Sequence, residues 1–246
     1  EHTGLLESRK IDTAGLQIVT GGKTFRWHGK YRPNMNDRDT LNVHLNVLDT
    51  FDPLLPDHFK STKLVFLGNI KPAVQLRVIE QLPPGAFKVA DTMDLWIEIA
   101  RDDLLEVLKR LDGVVLNDSE AKMLTGEENV ITAGHKVRAL GPKFVVVKKG
   151  EHGAIFLSEH GTFVLPAFPT ERVVDPTGAG DTFAGGMMGY IATLDKLDPT
   201  ELKKALGYGV VVASYTVEGF GLDRLREIEK ADIDKRLAEY QQMLSF

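Results

Sequence analysis

The central part of the chain alternates short, continuous apolar runs with longer stretches whose apolar positions recur every three or four residues. Short apolar runs are typical of strands buried on both faces of a parallel sheet, and the longer stretches are typical of helices packed against it. The predicted strands are 64–67, 87–91, 113–116 and 144–147, and the predicted helices are 72–82, 95–111 and 129–140. This alternation predicts an α/β body with a mostly parallel sheet and helices on both faces.

Other patterns flank this central part on either side. Residues 5–10 are predicted to end a helix, and a Gly21-Gly22 turn between short alternating runs predicts a hairpin of strands 17–20 and 24–28. In the second of these strands Phe25 and Trp27 fall on one face. The remaining predictions are a strand within 42–48, a hairpin of 154–157 and 162–165, and helices at 200–217 and 233–244.

The stretch from Val173 to Gly186 carries the clearest candidate chemistry. Two valines, typical of a strand end, precede Asp-Pro, a Gly-Ala-Gly turn and an apolar run that predicts a buried helix beginning at about Gly178. The first N–H groups of a helix have no partner within it, so with the positive end of the helix dipole they form an anion site. Asp181 lies in the first turn, where a carboxylate has a use as general base for a hydroxyl that attacks phosphorus. The alternative is that Asp175 or Asp181 only caps the helix.

Composition narrows the classes of function. The 246 residues include no cysteine, which excludes disulfides, thiolate zinc sites and a cysteine nucleophile, and which fits a reducing cytoplasm. A formal net charge of −5 without a basic cluster argues against a nucleic-acid partner. No apolar run is long enough to cross a bilayer and the first residues form no signal peptide, so we expect a cytoplasmic protein without a membrane partner.

The run Asp-Pro-Thr-Gly-Ala-Gly-Asp, followed three residues later by Gly-Gly-Met-Met, resembles the second signature of the ribokinase-like, or PfkB, family of carbohydrate and nucleoside kinases. The resemblance implies a three-layer α/β/α body with a small β lid, and an ATP-dependent phosphotransferase acting on a hydroxyl of a sugar or nucleoside. It also implies that Asp181 is the catalytic base. The N–H groups of Gly178, Ala179 and Gly180 would then stabilise charge on the transferred phosphoryl group.

Segments after three predicted strands or helices are candidates for contacts with ATP and Mg²⁺, because ligands of open α/β sheets bind at the carboxyl ends of the strands. Asn117 with Glu120 fits a capping box, or, as in the family's Asn-x-x-Glu element, a pair that orders Mg²⁺ and its waters. Lys148 and Gly150 take the place of the family's nucleotide-contacting turn, where Lys148 either is solvated or pairs with an ATP phosphate. Gly219 lies in a segment that resembles the family's loop beside the purine.

The acidic segment from Asp91 to Asp94 allows two interpretations. The segment from Asp91 to Asp94 resembles the family's Asp-x-Asn region with Asp94 in the last place, so it either lies near phosphate or magnesium or caps the following helix. The resemblance also implies that Thr177 adjoins the nucleotide, and it allows a monovalent cation, K⁺, near Asp175 and Thr177.

The resemblance implies that the N-terminal strands form a lid over the acceptor. Phe25 and Trp27 then cover a sugar or stack on a base, or else they pack the lid onto the body or onto a second subunit of a homodimer. We expect the lid and its connections within residues 1–50 and the nucleotide- and substrate-binding body within 51–246. The family usually begins with a strand, a sugar-binding Asp and a Gly-Gly motif, and the chain is expected to lack this N-terminal portion.

Together these features favour an ATP-dependent sugar or nucleoside kinase whose partner is a small molecule. The main alternative is a catalytically silent kinase-like fold that senses a nucleotide or a sugar, and the intact Asp181 argues against it. A dinucleotide-binding dehydrogenase is disfavoured, since Phe183 stands where the dinucleotide fingerprint requires glycine.

Overall fold

The structure is a computed structural model that describes residues 2–36 and 38–245. Its elements are, in chain order, α1 His2–Ser8, β1 Arg26–Tyr31, β2 Arg38–His44, β3 Leu64–Leu67, α2 Pro72–Ile79, β4 Phe87–Asp91, α3 Asp94–Ile99, α4 Arg101–Leu108, β5 Gly113–Asn117, α5 Asp118–Thr125, α6 Val130–Ala139, β6 Phe144–Lys148, β7 Ala154–Ser158, β8 Gly161–Leu165, α7 Ala179–Ile191, α8 Pro199–Thr216, α9 Asp223–Glu227 and α10 Lys230–Leu244. Short 3-10 helices lie at Asn46–Leu48, Asp57–Ser61 and Gly150–His152.

The main sheet has the strand order β3-β4-β5-β6-β7-β8. Strands β3 to β6 are parallel to one another, whereas β7 and β8 are antiparallel to their neighbours. The predicted mostly parallel sheet and the predicted hairpin of β7 and β8 are thereby confirmed. Because β3 to β6 run in the same direction, their carboxyl ends share one edge of the sheet, and there Asn117 of β5 lies opposite Lys148 of β6.

Side chains of the sheet alternate between two separate hydrophobic cores. Val146 of β6 packs with residues of α7, α8 and α10 on one face, while the adjacent Val147 packs with residues of α4, α5 and α6 on the other. Strands that are covered on both faces need continuous apolar sequence, which explains the runs seen along the chain. The result is the expected three-layer α/β/α body.

Helices α7 and α8 approach each other closely through glycines. A side-chain carbon on Gly186 would lie 2.7 Å from the Tyr208 carbonyl oxygen, and one on Gly209 would lie 2.8 Å from the Phe183 carbonyl oxygen. Both contacts are shorter than the van der Waals distance, so only glycine permits this packing. The close approach fixes α7, and with it the anion-binding turn at its start, against the body.

The helices differ from the predictions in a few places. The predicted single helix 95–111 is two helices, because Ala100 leaves the helical conformation with φ −140° and ψ 35° and ends α3 before α4 begins. Helix α1 lies at His2–Ser8 rather than ending at residue 10, and α9 was not predicted. In the part of the chain that the structure describes, no helix combines the length and the apolar character needed to span a bilayer.

The predicted hairpin of 17–20 with 24–28 is wrong. Strand β1 instead pairs antiparallel with β2, from Arg26 opposite His44 to Tyr31 opposite Arg38, with a shift in register between His28 and Gly29. Ile18 and Val19 are 76% and 59% exposed, so pairing there would bury little apolar surface. We call residues 26–36 and 38–44 the lid; its strands β1 and β2 form a separate two-stranded sheet.

We expect Gly113→Ala to destabilise the body by about 1–3 kcal/mol, the usual cost of overpacking a core. A side-chain carbon at this buried position would lie 2.0 Å from the Phe144 ring, and that ring is itself packed against Phe87 and Phe156. Urea unfolding measures the loss. The control is Gly85→Ala, where no heavy atom lies within 4 Å of the added carbon, and equal stabilities of the two variants would contradict the expected crowding.

Candidate active site

The carboxyl ends of three parallel strands bring charged and polar side chains to one place. Asp91 ends β4, Asn117 ends β5 and Lys148 ends β6. These strands are direct neighbours in the sheet, and the start of α7 lies against the same edge, since a side-chain carbon on Gly180 would be 2.7 Å from the Lys148 ammonium. The predicted segments around Asn117, Lys148 and the α7 turn are therefore close together in space.

The turn before α7 has the geometry of an anion site. Gly178 is the N-cap residue with φ 83° and ψ −1°, a left-handed conformation that glycine adopts without strain, and no side chain caps the helix. The Ala179 N–H donates to the Pro176 carbonyl oxygen at 3.1 Å, whereas the Gly178 and Gly180 N–H groups have no hydrogen-bond partner among the described residues and are left for a ligand. Asp175 accepts a hydrogen bond from the Thr177 N–H at 2.9 Å, which holds the Asp-Pro-Thr turn in shape. The helix begins at Ala179, as the sequence predicts.

Lys148 is held beside this turn by a buried carboxylate. Its ammonium lies 3.3 Å from Asp91 Oδ2, with side chains only 18% and 6% exposed for the lysine and the aspartate. The other oxygen, Asp91 Oδ1, accepts the Thr92 N–H at 2.8 Å. The ion pair therefore fixes a positive charge next to Gly180, where a phosphate oxygen bound by the helix N-terminus would also lie.

Asp181 projects from the first turn of α7 with its carboxylate exposed. Enough protein surrounds the group for desolvation to raise its pKa above the ordinary value, the Asp91 carboxylate raises the pKa further, and Lys148 lowers it. Water still reaches the carboxylate and screens these interactions, which limits the rise. A raised pKa brings a carboxylate nearer to the basicity that a proton acceptor needs.

Asn117 and Glu120 form the capping box of α5. Asn117 Oδ1 accepts the Glu120 N–H at 2.8 Å, and Glu120 Oε2 accepts the Asn117 N–H at 2.7 Å. Burial raises the pKa of Glu120 to about 7, against the opposing effects of Lys148 and of the bond from Asn117. Among the described residues no donor lies within hydrogen-bond distance of the second oxygen, Glu120 Oε1, so that oxygen remains available to a ligand or its water.

Because Glu120 is buried, we expect the free energy of unfolding to depend on pH. Its folded pKa is about 7 against an ordinary value of 4.5, so between these values the folded state keeps a proton that the unfolded state releases. The free energy of unfolding should therefore fall as pH rises from 4.5 to about 7. Urea unfolding of the wild type and of Glu120→Gln across this window tests it: the fall is expected only in the wild type, and parallel curves would contradict it.

A cavity of about 500 Å³ opens beside the start of α7. One part of its wall is Lys148, Gly150, Ala179 and Gly180, from the strand end and the anion-binding turn. Another part is apolar and consists of Phe168, Pro169, Val173, Phe183, Val210 and Val217. An apolar recess next to an anion site is the combination that a nucleotide requires.

Arg236 of α10 supports the apolar part of this wall from behind. Its guanidinium lies 3.4 Å from the centroid of the Tyr215 ring and 5.0 Å from that of Phe168. It also donates to Ser214 Oγ at 3.0 Å and to Glu218 Oε1 at 2.8 Å. Phe168 and Ser214 line the cavity, so this half-buried ion pair fixes two of its side chains.

The lid contacts the body at the same edge of the sheet. The Thr177 hydroxyl donates to the Tyr31 hydroxyl at 3.1 Å, one residue before Gly178. The turn of the lid lies over Gly150, where an added side-chain carbon would be 1.8 Å from Asn36 Oδ1. Asn36 also lines the cavity. The lid is thus closed over both the anion-binding turn and the cavity.

Phe25 and Trp27 occupy different environments on the lid. Phe25 precedes β1 and is exposed, so the two residues do not share a strand as predicted. The Trp27 indole donates to Thr40 Oγ1 at 3.2 Å and lies across Gly29, where a side-chain carbon would be 2.1 Å from the ring. Contact of either residue with an acceptor stays a prediction.

One contributor to this edge of the sheet was identified only in part from the sequence, and others were missed. Asp91 was left between phosphate binding and capping, and its pairing with Lys148 depends on β4 and β6 flanking β5, which no local pattern encodes. Phe168, Pro169 and Arg236 were missed, because they come from segments without a motif, whereas Val173 and Phe183 of the apolar wall lie in the motif stretch around Gly178. Gly219 packs against Arg224, while Ala213, Ser214 and Val217 of the same segment line the cavity, so the role given to Gly219 stays a prediction.

Comparison with solved structures identifies the fold. The fold is that of ribokinase-like kinases: a Burkholderia thailandensis nucleoside kinase in complex with inosine matches with a TM-score of 0.77 at 19% identity, covering 97% of this chain and 75% of that one. A putative ribokinase II from E. coli in complex with ATP and Mg²⁺ matches with the same TM-score and identity, covering 96% of this chain and 78% of that one.

Sequence comparison places the chain in a family. Residues 2–228 match the model described as pfkB family carbohydrate kinase, and the chain belongs to that family. It is 34% identical over 191 residues to a cytidine kinase of Thermococcus kodakarensis, across 74% of this chain and 66% of that protein. The chain thus spans slightly less than two thirds of the length of this curated relative.

Proposed function

We propose that this protein is an ATP-dependent kinase that phosphorylates a hydroxyl of a sugar or nucleoside. The observation that carries the proposal is the start of α7, where uncapped N–H groups, the Lys148 ammonium and the Asp181 carboxylate meet beside a cavity of about 500 Å³. Anion-binding amides and a cation suit the terminal phosphate of a nucleotide, and a nearby carboxylate suits the proton of an attacking alcohol.

Each group has a separate task in this reaction. The amides of Gly178, Ala179 and Gly180 donate hydrogen bonds to the transferred phosphoryl group and stabilise its developing charge. Of the three, the Ala179 N–H has a partner in the structure, the Pro176 carbonyl oxygen at 3.1 Å, which a phosphate oxygen would share or replace. Lys148 pairs with a phosphate oxygen, and Asp91 keeps the ammonium in place. Asp181 accepts the proton of the acceptor hydroxyl as the oxygen attacks phosphorus. The apolar wall around Phe168 and Val210 receives the base of the donor.

The residues present fit a magnesium ion bound largely through water. Glu120 Oε2 and Asn117 Oδ1 are engaged in the capping box, which leaves Glu120 Oε1 as the free acceptor of the pair. Magnesium keeps several of its waters and needs one or two carboxylates, so a single oriented oxygen beside the phosphates is sufficient. When bound, Mg²⁺ would neutralise part of the phosphate charge. K⁺ near Asp175 and Thr177 stays a prediction, as does the cytoplasmic location.

A sensor that only binds nucleotide is less consistent with the site. Asp181 makes no hydrogen bond or ion pair with any described residue, so its carboxylate has no evident structural task. An exposed carboxylate beside an anion site weakens anion binding, and a protein that only binds would gain from its absence. A base for catalysis is the use that explains it.

The test is release of ADP from Mg-ATP in the presence of a panel of acceptors. Cytidine and inosine come first, because relatives with 34% and 19% identity are a cytidine kinase and a nucleoside kinase seen with inosine. Pentoses and hexoses follow. Acceptor-dependent ADP release with formation of a phosphorylated acceptor is expected; release that is the same with and without every acceptor would contradict the proposal. A homodimer formed through the lid also stays a prediction.

A further inference from the structure

One arginine of the lid stands close to the anion-binding turn. Arg38 lies directly opposite Tyr31 in the pairing of β1 with β2, and cross-strand partners project from the same face of a two-stranded sheet. Tyr31 is in contact with Thr177, next to Gly178, through the 3.1 Å bond between their hydroxyls. The same face of the lid therefore brings the Arg38 side chain to the body where α7 begins.

The Arg38 guanidinium has its hydrogen-bond donors available. Within residues 2–36 and 38–245, no carboxylate lies within 4.0 Å of it, while the neighbouring Asp39 pairs with Arg32 at 2.8 Å. The guanidinium lies over the ring of Trp27, with its Cζ 5.6 Å from the ring centroid. A guanidinium stacked on an indole keeps its N–H groups directed outward in the plane, free for an anion.

The charges at the site call for a second cation. Three carboxylates interact with Lys148 at this edge of the sheet, namely Asp91, Glu120 and Asp181, and the lysine is already paired with Asp91. A terminal phosphate adds further negative charge to this group. Arg38 is near enough to Glu120 to lower the pKa of that carboxyl, which places the guanidinium within electrostatic reach of the same group.

We propose that Arg38 is a catalytic residue that the lid supplies, with its guanidinium donating hydrogen bonds to non-bridging oxygens of the transferred phosphoryl group. The inference rests on the proposed function, since it adds a residue to the same site. In the step, the bond from the acceptor oxygen to the terminal phosphorus forms while the bond from phosphorus to the ADP oxygen breaks. The acceptor proton passes to Asp181, the electron pair leaves with ADP, and Arg38 exchanges no proton.

Asn36, Arg38 and Trp27 lie at successive positions along the lid. The lid turn at Asn36 lies over Gly150 at the cavity, and Arg38 follows at the anion-binding turn. Trp27 is four residues before Tyr31 in β1, about 13 Å along the strand at about 3.3 Å per residue. Trp27 is therefore near the opposite end of β1 from the lid turn that lies over the cavity.

The test compares the variants Arg38→Met, Arg38→Lys and Arg26→Met of the 246-residue chain. Methionine retains a long apolar side chain that packs on Trp27, lysine retains the charge, and Arg26 is a control on the opposite, exposed face of β1. We expect Arg38→Met to lower kcat by about 100-fold, as for loss of one oxyanion donor. Arg38→Lys should recover part of the loss, and Arg26→Met should match the wild type.

A binding measurement separates catalysis from structure. Arg38→Met should bind ADP as the wild type does but lose affinity for ADP with aluminium fluoride, which mimics the phosphoryl group in transfer. Unchanged kcat in Arg38→Met, or an equal loss of affinity for both ligands, would overturn this inference but leave the proposed function intact. A wild type that transfers phosphate to no acceptor would overturn the proposed function and this inference with it.

Discussion

Asp181→Asn should lower kcat by about 10²- to 10⁴-fold, the range for loss of a general base. The carboxamide has nearly the shape of the carboxylate but cannot accept the proton of the acceptor hydroxyl. Binding of Mg-ATP should be kept, because the substitution removes a negative charge beside the anion site without touching the amides of α7. Initial rates of ADP release and calorimetric titration with a non-hydrolysable ATP analogue measure the two effects separately.

A matched control for this substitution is Asp223→Asn. Asp223 also lies in the first turn of a helix, α9, and is exposed, but no residue of α9 lines the cavity, whereas Ala179 and Gly180 of α7 do. We expect its kcat to equal that of the wild type. Wild-type turnover in Asp181→Asn would remove the proposed mechanism, and equal losses in both variants would show that the effect comes from the helix and not from catalysis.

Lys148→Met should damage both stability and donor binding. Asp91 is 6% exposed, so removing its partner leaves a buried carboxylate unpaired, at a cost of about 3–5 kcal/mol. Loss of the ammonium beside Gly180 should also weaken binding of Mg-ATP by about 10- to 100-fold, as expected for a charge-assisted hydrogen bond. Urea unfolding and nucleotide titration give the two values.

The double variant Asp91→Asn with Lys148→Met separates these effects. Removing both charges together should restore much of the stability, since no unpaired ion remains, but donor binding should stay weak because the cation is still missing. Lys149→Met is the control, since this neighbouring lysine does not line the cavity. Wild-type affinity in Lys148→Met, or a double variant no more stable than that single variant, would contradict the role assigned to the pair.

The body was predictable from sequence because its signals are local. Strands β3, β5 and β6 contain continuous apolar runs, and α7 begins directly after the Asp-Pro-Thr-Gly turn, with Gly178 as its N-cap at a left-handed φ. The capping box of Asn117 and Glu120 is also local, at the expected spacing of three residues. In each case the residues that determine the feature lie within a few positions of one another.

The features that were predicted wrongly or missed depend on contacts between segments that are distant in sequence. Residues 17–20 and 38–44 both offer alternating sequence to β1, and the choice of the second follows from the closed lid, in which Tyr31 meets Thr177. The Lys148–Asp91 pair joins residues 57 positions apart in the chain. The end of α3 at Ala100 likewise lacks proline or glycine to mark it.

The central claim is that the start of α7 binds the phosphoryl group that is transferred to an acceptor beside Asp181. The most direct measurement is a crystal structure of the protein with Mg²⁺ and a non-hydrolysable ATP analogue. The account predicts the terminal phosphate within hydrogen-bond distance of the amides of residues 178–180, with the Asp181 carboxylate open to the acceptor. Phosphates bound away from these amides, or a carboxylate turned into packed protein, would contradict it.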